Sequence, residues 1–332
     1  MPRFSVVVPV HAVEEYLPAC LESVLTQSFA DFELIAVDDR SPDGCGALLD
    51  AAAARDPRVT VRHLPENVGL GPARDAGAEL ATGEYLLFLD SDDTLVPGLL
   101  AEVDARLRAT DDPDLLVFDY ARTYWDGRVA RSASAPVFAR PGPEVFTLDE
   151  RPDLLDLLQV AWNKAYRRGF LTDHGLSFPP GYYEDTPFTY PALLAAGRIT
   201  LLDVVGVHYR QRREGGNILA TASRKHFDVF AQYDRVFAFL DARPDLDRWR
   251  PAVYRMMLGH LATVVSKPGR VPAGDRREFF RRAAEHCARY RPAGYRPAPG
   301  REGLRGELLA HGNYLGFQGL RVLSRARRAV RR

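Results

Sequence analysis

Three carboxylates fall within four residues, Asp90, Asp92 and Asp93 of Leu87-Phe-Leu-Asp-Ser-Asp-Asp-Thr94, directly after an apolar run. Like charges this close raise one another's pKa unless a cation lies among them. The segment therefore suits a hard divalent ion, Mn2+ or Mg2+, which would in turn hold phosphate oxygens. The plainer alternative is a solvated acidic loop capping a helix that starts near Pro97. A second acidic cluster, Asp38-Asp39-Arg-Ser41-Pro-Asp43-Gly44, also follows an apolar run, and there Ser41 or Asp43 can serve as a helix N-cap. In Glu66-Asn67-Val-Gly69-Leu-Gly71-Pro-Ala-Arg74-Asp75-Ala-Gly77 the glycines lack G-x-G-x-x-G spacing, and no Gly-Lys-Ser/Thr follows, so the dinucleotide and P-loop fingerprints are both missing. An Arg one turn into a helix can still approach a diphosphate; the alternative is a glycine-rich turn with a solvated Arg. Glu184-Asp185 precedes an apolar helical stretch. It offers either a general base for a hydroxyl proton or an acidic first turn that complements the helix dipole.

These residues need elements to position them. Phe4–Val10, Phe32–Val37, Val59–Leu64, Tyr85–Leu89 and Leu115–Tyr120 read as buried strands, with helical patterns at 14–27, 43–55, 71–82 and 97–109 between them. Alternating strand and helix predicts a mostly parallel sheet with helices on both faces, an α/β fold whose ligands sit beyond the carboxyl ends of the strands. From residue 126 the rhythm breaks. Helical patterns near 147–158 and 184–197 precede a strand at Ile199–Tyr209; beyond 217 the pattern is mainly helical, and 291–301 reads as a linker.

The chain has 332 residues, enough for one large or two moderate domains, and its 44 Lys+Arg balance 44 Asp+Glu. Zero net charge argues against a protein that coats nucleic acid. The balance conceals segregation, since residues 280–332 hold 13 Arg against 3 Glu and the rest is correspondingly acidic. Only Lys164, Lys225 and Lys267 are lysines, a bias that fits genomic composition. Cys20, Cys45 and Cys287 lie far apart without C-x-x-C spacing, as in a reducing compartment. Met-Pro-Arg runs straight into a strand pattern without a signal-peptide core, and no apolar stretch approaches the roughly 20 residues of a membrane span. A cytoplasmic location is expected.

Taken in order, Pro9 at the end of the first strand, Val37-Asp-Asp-Arg-Ser-Pro-Asp-Gly44, Asn67-Val-Gly-x-Gly-x-Ala-Arg74-Asp-x-Gly77 and Gly83-Glu-Tyr-Leu-x-Phe-Leu-Asp-Ser-Asp-Asp93 resemble the successive signatures of family 2 glycosyltransferases of GT-A fold. Trp162-Asn-Lys-Ala-Tyr-Arg-Arg-x-Phe-Leu171, Tyr183-Glu-Asp185-x-x-Phe188 and Tyr209-Arg-Gln-Arg212 are similar to bacterial teichoic-acid and capsule enzymes of that family. The resemblance covers roughly residues 3–215. It implies a GT-A, Rossmann-like catalytic domain over 1–216, with a nucleotide-binding half to about 125 and an acceptor half over 126–216. Residues 217–332 would form a helical region with a basic tail.

The resemblance also implies roles. Asp39 would accept from the nucleobase of a UDP-linked sugar donor, beside Pro9 and His11, while Asn67 and Arg74 would contact nucleotide or diphosphate. Asp90, with Ser91, would hold ribose or a metal-bound water, Asp92 would ligate Mn2+ or Mg2+, Asp93 would lie near the donor sugar, and His208 would approach the metal. Arg212 would bind the diphosphate; the Ser or Thr expected a few residues beyond it is replaced here by Gly215-Gly216-Asn217. Asp185 would be the general base of an inverting transfer to a glycan, teichoic-acid-like or other polymer hydroxyl. The tail, Gly319–Arg332 with six Arg and no acid, can lie against an anionic membrane at its inner face or remain solvated. With no aromatic residue among these arginines, nucleic acid is not expected as a partner. Two other readings stand beside this one. One is a non-catalytic nucleotide- or glycan-binding module. The other takes Asp90-Ser-Asp-Asp-Thr94 as the nucleophile loop of a haloacid-dehalogenase-like phosphatase, although that loop generally follows a first strand rather than a fourth.

Overall fold

The structure, a computed structural model, describes residues 1–212 and 221–321. The chain folds as two compact units, Met1–Gly215 and Gly216–Arg332. In the first unit, β1 (Phe4–Val10) is buried along its whole length because it lies between two parallel neighbours, β2 (Phe32–Asp38) and β4 (Tyr85–Phe88). Sheets covered on both faces demand such continuous apolar strands. β3 (Val59–His63) extends the sheet beyond β2. One face, through Phe4, Val6, Val8 and Leu87, packs on α1 (Leu17–Leu25), α2 (Cys45–Arg55) and, beyond the two-residue β5 (Thr94–Leu95), α4 (Leu99–Ala109). On the opposite face α3 (Leu70–Ala78) is drawn down by Gly77, where an added Cβ would stand 2.4 Å from Val7 Cγ1.

β6 (Leu115–Tyr124) carries a short partner, β7 (Val129–Arg131), followed by α5 (Ala135–Phe138) and β8 (Val145–Phe146). The chain then returns as β9 (Lys164–Arg167), antiparallel to β4 on one side and to β6 on the other. After α6 (Arg168–Asp173) and α7 (Thr186–Ala195), the 13-residue β10 (Ile199–Gln211) runs parallel to β6. The sheet order is β3-β2-β1-β4-β9-β6-β10-β5. Inserting β9 makes the sheet mixed, yet β1, β2, β3, β4, β6 and β10 all point their carboxyl ends to one edge. Lys164 begins β9 at that same edge.

Among the described residues the second unit contains α8 (Asp228–Asp241), α9 (Arg250–Ser266), α10 (Arg276–Tyr290) and α11 (Gly300–Ala310), and residues 314–321 are helical as well. Phe230, Tyr233, Phe237, Met257, Leu261, Phe279, Phe280 and Cys287 are buried in it. Among the described residues no helix is long and apolar enough to cross a membrane. Two expectations change. The helical pattern at 147–158 yields only a 3-10 turn at Pro152–Asp156, since Pro152 removes an amide donor and the segment is too short to repay α-helix nucleation. The expected linker 291–301 ends at Pro299, the N-cap of α11. Gly215-Gly216-Asn217 and residues 322–332 of the basic tail lie outside the described residues.

Candidate active site

The carboxyl edge collects every site residue expected from the sequence that the structure describes. Asp39, just past β2, is almost fully buried, and its Oδ1 and Oδ2 accept the Val68 and Gly69 amides at 2.7 and 2.9 Å. Gly69, at φ +89, turns the chain so that both amides face one carboxylate. Asn67 Nδ2 donates to Asp39 O at 3.2 Å and lies 3.0 Å from His11 Nδ1, itself 2.9 Å from Asp39 O. Pro9 pairs with Val37 at the same level. Asp39 therefore first organises the loop entering α3; a carboxylate has about four acceptor sites, so two N–H bonds leave capacity for a ligand donor.

Arg74, one turn into α3, faces inward. Its Nη1 donates to Glu184 Oε1 at 2.9 Å and Asp185 Oδ1 at 2.7 Å, and its Nη2 to Asp90 Oδ1 at 2.6 Å. The guanidinium also lies 5.2 Å from the Phe178 ring centroid and is wholly buried. These three ion pairs use three of the five N–H donors of Arg74 and clamp the end of β4 to the start of α7, while its buried Nε has no hydrogen-bond partner. Gly71 permits the approach, because a Cβ there would stand 2.5 Å from Pro179 O.

Burial pushes the Asp185 carboxyl above its usual range, opposed chiefly by Arg74 and, less strongly, by Lys164 and the Ala161 N–H. Its neighbour Glu184 is pushed up to about 7 by burial and by the Asp185 charge. Exposure then separates the carboxylates. The side chains of Asp185, Asp90 and Asp92 remain 17%, 23% and 25% exposed, whereas Glu184 is 10% and Asp93 is closed off. Only the first three present appreciable surface to a ligand.

β10 supplies the other wall. Its register sets His208 opposite Thr94, and beyond it Arg210 donates its amide to Asp93 Oδ1 and its Nε to Asp92 O, both at 2.7 Å. Arg212 Nη2 meets Asp92 Oδ2 at 2.7 Å. Residues two apart on a strand share a face, and both guanidiniums stack on Tyr16, at 5.1 and 4.5 Å from its centroid. Sequence reasoning named Arg212 but missed Arg210 and Tyr16, although the alternation in Tyr209-Arg-Gln-Arg212 marked the shared face. It also missed the part of Glu184, whose partner Arg74 is 110 residues away. Asp93, expected near the donor sugar, is instead fully buried, with Ser91 also buried beside it.

The donor set fits a hard divalent cation. Burial and then the neighbouring Asp charges hold Asp92 and Asp93 above the usual carboxylate range, and Asp93 Oδ2 is a buried oxygen with no hydrogen-bond partner. Among the described residues no three His, Cys, Asp or Glu side chains form a metal cage. Asp92 and Asp90 keep part of their side chains exposed, and one or two carboxylates together with phosphate and water are the set that Mg2+ takes.

Known proteins resemble the chain in both sequence and fold. A family model described as glycosyl transferase family 2 matches residues 5–175. EpsH of Bacillus subtilis is 31% identical over 287 residues, 84% of this chain and 80% of that one. The poly(ribitol-phosphate) beta-N-acetylglucosaminyltransferase TarS of Staphylococcus aureus is 30% identical over 220 residues; the match spans 65% of this chain but only 36% of TarS. The crystal structure of TarS 1-349 in complex with UDP-GlcNAc superposes with a TM-score of 0.73 at 22% identity, over 98% of this chain and 92% of that one, and shares the fold.

Proposed function

The chain belongs to the family 2 glycosyl transferases, and from that premise we propose that it moves a sugar from a UDP-linked donor to a hydroxyl of a cell-surface glycan or polymer, with inversion. The observation that carries the reading is Asp185, a partly exposed carboxylate held at 2.7 Å by buried Arg74 on the same edge as Asp90 and Asp92. TarS, by its name and its complex with UDP-GlcNAc, supports the choice of donor and of a polymer acceptor.

Asp185 takes the proton from the acceptor hydroxyl as that oxygen attacks the anomeric carbon. Arg74 fixes its orientation, and the positive end of α7 favours its anion. The nucleobase lies against Pro9, His11 and Asp39, with Asn67 and Asp90 on the ribose side and Arg212 on the diphosphate. Asp92, with Asp90 and His208 nearby in the chain's fold, would hold a Mn2+ or Mg2+ ion that stabilises the charge developing on the departing diphosphate. A direct test measures UDP release from UDP-sugars with purified acceptor polymer. Wild type should turn over, and chelation should abolish turnover until Mn2+ or Mg2+ is restored. UDP should also raise the melting temperature more with Mn2+ than without, since a ligand at about 100 Kd stabilises by roughly 2.7 kcal/mol. Full turnover in Asp92→Ala would remove the metal assignment.

A further inference from the structure

Arg210 and Tyr16, on the wall that β10 forms, take no part in the mechanism above. The chain leaves β1 at Val10 and turns into α1 at Leu17, which sets Tyr16 at the carboxyl edge. Its backbone is held there, since the Tyr16 and Leu17 amides both donate to Val13 O, at 2.8 and 3.0 Å. Two guanidiniums share its ring, Arg210 at 5.1 Å and Arg212 at 4.5 Å from the centroid. They are spent differently. Arg212 Nη2 meets the Asp92 carboxylate at 2.7 Å, whereas Arg210 gives its Nε to the Asp92 carbonyl at 2.7 Å. Among the described residues nothing accepts from Nη1 or Nη2 of Arg210, and no carboxylate lies within ion-pair distance of it. One N–H of five is therefore used, and four donors remain beside Asp92, whose side chain is 25% exposed.

Two cations on one ring repel each other unless anions lie against both. Asp92 serves Arg212, and Asp93 is buried and accepts the Arg210 amide, so the anion that suits the Arg210 side chain comes from the ligand. Guanidinium donors match phosphate oxygens in pairs. We propose that Arg210 binds the donor diphosphate through its terminal nitrogens, alongside Arg212, and that Tyr16 is the positioning residue that holds both guanidiniums at the site. The Nε bond and the ring fix Arg210 at two points, leaving only its outer edge for the ligand. The proposal rests on the donor being a nucleoside diphosphate sugar, as read above.

Calorimetry on the full chain with Mn2+ tests it, with UDP, UMP and uridine titrated into wild type, Arg210→Gln, Tyr16→Phe and Tyr16→Leu. The Gln amide nitrogen stands as many bonds from the backbone as Arg Nε, so Arg210→Gln can keep the Asp92 O bond while it loses the terminal nitrogens. UDP should bind it about tenfold to a hundredfold more weakly, the scale of one hydrogen bond to a charged group, with uridine unchanged within about twofold. Tyr16→Phe keeps the ring and should match wild type. Tyr16→Leu should weaken UDP by about threefold to thirtyfold, the range of a cation–π contact, and leave uridine alone. Arg210→Gln with wild-type UDP affinity, or with equal losses for UDP and uridine, overturns the arginine's assignment; either result in Tyr16→Leu overturns that of the tyrosine. If these variants do not fold, the same readings on Arg210→Lys and Tyr16→Met decide. Wild type that binds neither UDP nor UMP overturns the donor reading, and the proposal with it; UDP binding by wild type beside an unaffected Arg210→Gln overturns the proposal alone.

Discussion

Arg74 faces three carboxylates with one positive charge, so the cluster keeps a negative excess at the point where a proton must be accepted. Asp185→Asn removes the acceptor of that proton but leaves Arg74 paired with Glu184 and Asp90. It should lower kcat by about 10²–10⁴-fold, with a fold that still melts cooperatively, as UDP-release kinetics and calorimetry would register. Because a base must be ionised and Asp185 sits above the usual range, activity should fall as pH drops through that raised value. The acid limb of kcat/KM is accordingly expected above the ordinary Asp value of about 3.9. Arg74→Met is the more damaging change for stability. It strands three buried or half-buried carboxylates without their counter-ion, a loss of about 3–5 kcal/mol on the scale of broken buried pairs, readable by urea denaturation at pH 7.

At the scale of elements, α3 does the joining. Its start is fixed by the Asp39 carboxylate, its first turn carries Arg74, and two close approaches let it lie against both the sheet and the 179–184 segment. Gly71→Ala inserts a methyl 2.5 Å from Pro179 O, a backbone atom that cannot swing aside. Overpacking of this kind costs about 1–3 kcal/mol. The displaced helix should draw Arg74 from Asp185, so kcat should fall further than the stability loss alone would explain; comparing kcat with melting temperature across Gly71→Ala and a distant destabilised variant checks this. β10 does the corresponding work on the other side, since it runs on to Gln211 and brings Arg210, and Arg212 just past its end, to Asp93 and Asp92.

For the whole molecule, site carboxyls raised by burial make stability depend on pH. Asp75, on α3, is pushed up to about 6 by burial while both its oxygens accept the Phe178 amide. A folded-state value above the unfolded one means that the native protein holds the extra proton. Asp75 therefore destabilises progressively as pH rises from about 4 through 6. Asp75→Asn should be indistinguishable from wild type in stability near pH 4 and more stable by on the order of 1–3 kcal/mol at pH 8, which melting curves across that range would reveal. A constant difference at all pH values would refute it. Neutral overall charge gives no hint of this, because the excess acid of the first 279 residues is balanced by the basic C-terminal segment.

Local pattern determined much of this protein by itself. Apolar runs of strand length fixed β1 to β4, helical spacing fixed the intervening helices, and the carboxylates following those runs had to emerge at the carboxyl edge. Asp39, Asp90 and Asp92 were legible for that reason, whereas Asp185, at the start of a helix, was marked by the resemblance of Tyr183-Glu-Asp185-x-x-Phe188. Tertiary structure alone decided which of them face a ligand and which are sealed in. It turned Arg74 toward partners 16, 110 and 111 residues away, buried Asp93 under the Arg210 amide, and inserted β9 between β4 and β6. Periodicity reports only which face a residue takes on its own element. The charge it meets there depends on a second element packed against the first, and that long-range pairing sets burial, counter-ions and hence protonation.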